Sequence, residues 1–139
     1  MLSFKFIKYP DPDQLDQLIT LYQEAGWWSA ATDSLDLIKG IIAGSHCFCV
    51  ATVGNRLVGM GRAISDGVSD AYVQDVTVLK EFRRRGIGTK LVSQLIEKLE
   101  ADGIGWIGLI AESGSADFYR PLGFAPMPNS APMLRLRKL

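Results

Sequence analysis

Net charge is absent from this sequence. Fifteen basic residues balance fifteen acidic ones across 139 positions. No global field therefore draws the chain to nucleic acid or to an anionic membrane, and neither is expected as a partner. No apolar run approaches the roughly 20 residues that a membrane span needs. Met1–Lys5 carries no apolar signal region or cleavage site, and the chain is expected in the cytoplasm. Histidine occurs once, as His46 at a strand edge, where a surface or structural role outweighs catalysis. The two cysteines, Cys47 and Cys49, lie two apart on an expected strand. They project from one face, but the link between them is too short and extended for an easy disulfide. With no His or Cys partners at ligand spacing, neither zinc nor another metal is expected. Two buried thiols in a reducing compartment are the reading that remains. Internal repeats, low-complexity tracts and linkers are also missing, so residues 1–139 read as one domain.

What is present is an ordinary globular composition, 47% hydrophobic and 22% charged, with enough chain to bury roughly two-thirds of its unfolded surface. Ser3–Tyr9 alternates Phe4 and Phe6 with Lys5, a first strand. Asp11-Pro12 starts a helix with Leu15, Leu18, Ile19 and Tyr22 on one face and Gly26 at its end. Trp27-Trp28 follows in a loop, as core or as the apolar wall of a substrate pocket. Asp33 or Ser34 caps a second helix with Leu35, Ile38, Ile41 and Ile42 inward. His46–Val53 and Arg56–Ile64 form a hairpin about Gly54-Asn55. Gly59 and Gly61 mark a bulge or a close approach. A fourth strand runs from Ala71 to Leu79, after a turn at Asp66-Gly67. Past a long helix, Trp106–Ala111 reads as a buried strand and Ser115–Leu122 as a short helix. Leu134 and Leu136 alternate with Arg135 and Arg137 in a final strand. The helix between strands four and five demands a crossover, so that pair is parallel and the hairpins antiparallel. The result is a mixed sheet with helices on both faces.

The stretch Gln74–Leu99 organises the rest. Gln74–Leu79 is β-branched and apolar, the composition of a buried strand. Gly88, Leu91, Val92, Leu95, Ile96 and Leu99 then recur on one helical face. Between them lies Lys80–Thr89. A helix start offers backbone N–H groups without intrahelical partners and about half a positive charge. Gly86 and Gly88 leave those donors open, and Arg83, Arg84, Arg85 and Lys90 add full charges suited to phosphate oxygens. The turn is built for an anion, most simply a pyrophosphate. It is neither a dinucleotide fingerprint nor a P-loop, since the third glycine and the Gly-Lys-Ser/Thr ending are missing. A solvated arginine run closing an ordinary strand–helix link is the plainer alternative.

Arg-x-x-Gly-x-Gly after a buried strand, Arg83 to Gly88, resembles the acetyl-CoA loop of the GNAT N-acetyltransferase superfamily. Tyr119–Phe124 resembles that family's Tyr-x-x-x-Gly-Phe ending, and the element order is similar over nearly the whole chain. Gly26-Trp27, Met60–Asp66 and Asp75-Val76 also resemble small bacterial and plastid-type members, some of which acetylate arylalkylamines. The implied fold is α/β (α+β), a GNAT-type mixed, mostly antiparallel sheet with helices on both faces and strands four and five parallel and splayed. The resemblance implies acetyl-CoA as co-substrate, held by the backbone of Val76, Thr77 and Val78 at the acetyl and pantetheine arm. Arg84, Arg85, Gly86, Ile87, Gly88 and Thr89 would hold the pyrophosphate with Arg83 nearby. Ala111 would lie opposite, Phe118 would line the channel, and Tyr119 would protonate the leaving thiolate. Dimers are common among relatives, so the resemblance leaves oligomeric state open between a monomer and a homodimer, with the final strand as a candidate exchange element.

These residue types suit acyl transfer from a thioester to an amine. A backbone N–H on the developing oxyanion contributes roughly 3–4 kcal/mol. A free alkylamine, with a pKa of about 10.4, is under one part in a thousand neutral at pH 7, so the enzyme must shift that pKa or supply a base. Asp75 is the candidate, positioned by Gln74, with Glu112 as runner-up. The alternative for Asp75 is a hydrogen-bonded carboxylate stabilising a bulge. Trp27, Trp28 and Tyr72 point to an apolar or aromatic acceptor, either a small-molecule amine or a peptide. A non-catalytic acyl-CoA sensor would need Arg83–Gly88 but neither Tyr119 nor a base.

Overall fold

The computed structural model describes residues 1–137. They form two compact units that meet in sequence after Leu109. In the first unit, β1 (Leu2–Phe6) leads to α1 (Pro12–Glu24). Helix α1 starts as its sequence demands. The Asp11 carboxylate accepts from the Gln14 N–H at 2.8 Å, and Gln14 Oε1 accepts in return from the Asp11 N–H at 2.9 Å. This reciprocal pair satisfies two donors that a helix start otherwise leaves free. Ser34 caps α2 (Leu35–Gly44), while Asp33 is occupied in the preceding loop by the Ser29 N–H. Ile38 and Ile42 are buried as expected, but Leu35 is exposed, because α2 begins outside the core and only its later turns reach it.

Strands β2 (Cys47–Val53), β3 (Arg56–Ser65), β4 (Asp70–Val78) and β5 (Trp106–Gly108) complete a sheet in the order β1-β2-β3-β4-β5. The first three pairings are antiparallel and β4–β5 is parallel, as the crossover requires. Every residue from Cys47 to Thr52 is buried, so β2 is covered on both faces. Helix α3 (Ile87–Ala101) covers one face, with Ile87, Leu91, Val92, Leu95 and Leu99 turned inward. Its close approach explains two glycines. A Cβ on Gly59 would meet Leu91 Cδ1 at 3.0 Å, and one on Gly61 would meet Leu95 Cδ1 at 3.2 Å. Helix α1 lies against the other face, where Tyr22 reaches β4. His46, just before β2, pairs through Nε2 with Asp102 Oδ2 at 2.7 Å beyond the end of α3, a structural tie between two elements. Both cysteines are free and buried. Burial pushes the Cys47 thiol up to about 11 and the Cys49 thiol up to about 12.

Two expected strands differ. The strand anticipated over Trp106–Ala111 stops at Gly108, with Trp106 and Ile110 exposed. The final strand at Leu134–Arg137 does not form, and Leu134 and Leu136 are exposed. Alternation supplies a potential apolar face, but a strand also needs a ladder partner, and none pairs with this segment among the described residues. The second unit contains α4 (Ala116–Tyr119) and a short 3₁₀ turn (Arg120–Leu122), which closes at Gly123 in the left-handed region with φ of 96°. The chain beyond it is irregular and carries Pro126, Pro128 and Pro132.

Candidate active site

The ladder between β3 and β4 contains an irregularity that shapes the site. Met60 pairs with Thr77 and Arg62 with Gln74, so Asp75 and Val76 together face Gly61. That is one extra residue in β4, a β-bulge. Asp75 occupies it with φ of +56°, a region that non-glycine residues seldom adopt, although Asp tolerates it better than most. Two donors converge on one oxygen of its carboxylate. The Tyr22 hydroxyl donates to Asp75 Oδ2 at 2.8 Å and Arg62 Nε donates to it at 2.7 Å. Arg62 also donates to Gln74 Oε1 at 3.3 Å. Burial first, and then the Asp75 charge, push the Tyr22 phenol far above its ordinary range, so it stays protonated and donates. Tyr22 in turn meets the Trp27 ring edge-on at 6.2 Å.

Before it reaches the bulge, β4 has already lost its outer neighbour. The parallel ladder runs from Asp70–Trp106 to Tyr72–Gly108 and ends there, while β4 continues to Val78. Val76, Thr77 and Val78 thus sit on a strand whose β5 side is open within this unit. A sheet edge of this kind is a template for an extended group with its own hydrogen-bonding atoms. Just after it comes the basic turn. Arg84 and Gly86 both have positive φ, 64° and 77°, and turns that mix hands in this way gather amide N–H groups into an anion-receiving hollow. The first helical bond of α3 runs from Lys90 N–H to the Gly86 carbonyl at 3.1 Å. The N–H groups of Ile87, Gly88 and Thr89 therefore have no intrahelical acceptor, and Gly86 offers no side-chain cap. A Cβ on Gly86 would meet nothing within 4 Å, so the approach to those donors is open. Arg83 Nε donates to the Val78 carbonyl at 2.9 Å, tying the turn to the strand end. Arg85 lies 5.0 Å over the Phe82 ring. This donor set fits a diphosphate.

A third feature lies on the sheet face opposite α3. Ile64 pairs with Tyr72, and Tyr72 with Gly108. The Trp106 indole meets the Tyr72 ring edge-on at 5.2 Å. All three side chains stay more than a third exposed, at 38%, 47% and 39% for Ile64, Tyr72 and Trp106. Three exposed apolar groups in one place form a small platform beside Gln74. Trp27 is also exposed, whereas Trp28 packs against the core.

In the second unit, the Tyr119 ring lies between Phe118 at 4.8 Å and Phe124 at 5.8 Å, both edge-on. Burial pushes its phenol above the ordinary tyrosine value. Ala111 and Phe118 are exposed.

The structure thus joins Asp75, Gln74 and Trp27, three expected site residues, through Tyr22 and Arg62, which the sequence reading assigned no role. Trp106 was expected only as a strand residue and instead completes the platform with Tyr72. Arginine amid the apolar run Gly59–Ile64 was the one available signal for Arg62, since a charge there needs a partner.

Residues 12–124 match the sequence profile of the Acetyltransferase (GNAT) family. The chain is 34% identical over 119 residues to the chloroplastic GCN5-related N-acetyltransferase 1 of Arabidopsis thaliana, a match covering 83% of this chain and 58% of that protein. It is 39% identical over 75 residues to the chloroplastic serotonin N-acetyltransferase 2 of Oryza sativa subsp. japonica, covering 54% of this chain and 38% of that one. A GNAT-family acetyltransferase from Streptococcus pneumoniae shares the fold with a TM-score of 0.83 at 24% identity, covering 100% of both chains. The chain spans between 28% and 58% of the length of the Arabidopsis relatives it matches. It belongs to the GNAT acetyltransferase family, and its mixed sheet with a parallel β4–β5 pair is that family's fold. The Arabidopsis and rice relatives are named as chloroplastic proteins, and this overturns the expectation of a cytoplasmic one.

Proposed function

We propose that this chain transfers an acetyl group from acetyl-CoA to the primary amine of a small molecule or peptide N-terminus, by direct attack in a ternary complex. The acceptor has an aromatic or apolar body. One observation carries the reading: past Tyr72, β4 stays paired with β3 but has no β5 neighbour, and it delivers that open edge into a turn of amides without intrahelical acceptors. The strand edge suits an amide-bearing arm, and the turn suits the diphosphate at the far end of that arm.

In this reading the backbone of Val76, Thr77 and Val78 binds the arm and polarises the thioester carbonyl. The amides of Arg84, Arg85, Gly86, Ile87, Gly88 and Thr89, with the Nη groups of Arg83, hold the phosphates. Ala111 and Phe118 line the coenzyme channel. The acceptor ring rests on Tyr72 with Trp106, Trp27 and Trp28 as further apolar wall, and Gln74 orients the amine. Asp75 accepts the amine proton through water. Tyr119, a phenol that carries its proton at neutral pH, returns a proton to the leaving thiolate. The name of the rice relative, a serotonin N-acetyltransferase, supports an aromatic acceptor.

The test mixes purified protein with acetyl-CoA and a panel of aromatic ethylamines, aliphatic polyamines and short peptides, and follows thiol release. Release that is fastest with aromatic amines is expected. Tyr119→Phe should lower kcat about a hundredfold, the low end for a lost general acid. Saturable coenzyme binding without release across the panel would leave a sensor of acyl-CoA and overturn the enzymatic reading.

A further inference from the structure

We propose that Arg62 and Tyr22 are positioning residues for acyl transfer: from β3 and α1 they hold the Asp75 carboxylate, and through it the bulge that decides which β4 backbone groups face the open edge. This rests on the acetyl-CoA reading above and adds to it the residues that shape the coenzyme's seat.

Backbone geometry is the starting point. A non-glycine residue at positive φ persists only where its surroundings over-determine it. At Asp75 that over-determination is visible, since two donors from separate elements meet on the single oxygen Oδ2 at 2.7 and 2.8 Å. Both donors are themselves fixed. Tyr22 is buried in α1 and braced by the Trp27 ring. The Arg62 side chain is only 14% exposed, and its two remaining nitrogens donate to Gln74 Oε1 at 3.3 Å and to Ser45 Oγ at 3.4 Å. Ser45 in turn donates to the Ile41 carbonyl at 2.6 Å, at the end of α2. One guanidinium therefore ties β3, the bulge and α2 together, and a lysine in its place could not hold all three.

The bulge has a consequence for the seat. Before it, Ala71 and Val73 are the buried residues of β4, on the α3 face with Ala63. A regular strand would continue that face with Asp75 and Thr77, because strand side chains alternate. The extra residue shifts the count. Val76 and Val78 now face α3, each with Cγ2 3.3 Å from the Cβ position of Gly61 or Gly59. A one-residue shift also exchanges the N–H and C=O groups that point toward β3 for those that point away. The Asp75 contacts thus select the hydrogen-bonding pattern of residues 76–78 on the side where β5 is missing. Loss of a contact should therefore weaken coenzyme binding even though neither Tyr22 nor Arg62 touches the coenzyme.

Calorimetric titration of the full chain with acetyl-CoA tests this, with thermal unfolding as a control for folding. Tyr22→Phe removes one donor and should weaken binding about tenfold or more, the loss of one hydrogen bond to a charged group. Arg62→Gln should weaken it further. Asp75→Gly and Asp75→Ala both remove the carboxylate, but only glycine takes positive φ freely. The Gly variant should therefore bind about tenfold more tightly than the Ala variant. In the Asp75→Gly background, Tyr22→Phe should have no further effect, a result that a packing role for the phenol would not give. If wild type binds while Tyr22→Phe and Arg62→Gln bind equally well, the positioning role is overturned. Equal affinities for the Gly and Ala variants would overturn it too. If wild type itself shows no binding, it is the acetyl-CoA reading that falls.

Discussion

Gly108 lies beneath the indole of Trp106: a Cβ built on Gly108 would stand 2.6 Å from Cη2 and 2.8 Å from Cζ3 of the ring. The indole can lie along β5 because position 108 has no side chain, and from there it meets Tyr72. Gly108→Ala must push the ring away. An edge-on aromatic pair contributes about 0.5–1.5 kcal/mol beyond its burial. If this platform seats the acceptor, KM for an aromatic amine should rise roughly two- to twelvefold. KM for acetyl-CoA should not move. Steady-state kinetics with each substrate varied in turn checks this, and an equal rise for an aliphatic amine would place the acceptor elsewhere.

Gly59 makes a different kind of contact. A Cβ there would lie 3.0 Å from Leu91 Cδ1 and 3.2 Å from the Thr77 carbonyl oxygen. The leucine can give way, but the carbonyl belongs to β4 and cannot do so without disturbing the ladder. Gly59→Ala should therefore destabilise the fold by about 1–3 kcal/mol, the usual effect of overpacking a core. Urea denaturation should show a lower midpoint with an unchanged slope. A midpoint within error of wild type would mean that α3 sits less tightly on the sheet than these distances imply.

Local chemistry made much of the fold legible. The Asp11-Pro12 helix start, the Gly54-Asn55 turn and a cap at Asp33 or Ser34 each act over a few residues and can be read directly, whereas the answering Gln14 bond and the choice of Ser34 came from the structure. The crossover helix between β4 and β5 fixed their parallel pairing. The glycine turn before α3 was equally local. Pairwise geometry at long range was not. The Tyr22–Asp75 bond joins residues 53 apart, and a bulge exists only when two strands are counted against each other. Asp75 looked like a base or a bulge carboxylate from its neighbours alone, because the donors that hold it come from β3 and α1. The final strand failed for a related reason: Leu134 and Leu136 have the alternation, but a ladder must come from elsewhere in the sheet. Compartment is a matter of address rather than of fold, and only the chloroplastic relatives spoke to it.

Acid stability has a local source at Asp66. Its carboxylate accepts from the Ser69 hydroxyl and from the Ser69 and Val68 N–H groups, and these bonds hold its pKa down from 3.8 to about 2. The folded state thus keeps this group ionised when the unfolded chain has already taken up a proton. Its stabilising contribution is present above about pH 4 and is lost as the pH falls toward about 2. Asp66→Asn keeps an oxygen for the backbone bonds of the turn but cannot titrate. The variant should lose less stability than wild type between pH 4 and pH 2, as measured by urea midpoints at each pH. Parallel curves would assign the acid loss to other carboxylates.

The turn before α3 allows the sharpest test of the coenzyme seat, because one position combines a conformation with an approach path. Gly86 has φ of +77° and open space where a side chain would stand. Asparagine tolerates that φ, whereas valine, branched at Cβ, does not. A left-handed conformation costs an ordinary residue about 1–2 kcal/mol. Gly86→Val should either rotate the turn or block the amides, and in both cases acetyl-CoA affinity should fall by about tenfold or more. Gly86→Asn keeps the backbone and should lose less, so the two variants separate backbone shape from mere bulk. Arg83→Glu reverses a charge beside the same amides and breaks the bond to the Val78 carbonyl. Its effect should shrink as salt rises, since exposed charges are screened, whereas the effect of Gly86→Val should not. Calorimetry at two ionic strengths gives all three comparisons. Affinity unchanged in both Gly86→Val and Arg83→Glu would remove the diphosphate from this turn.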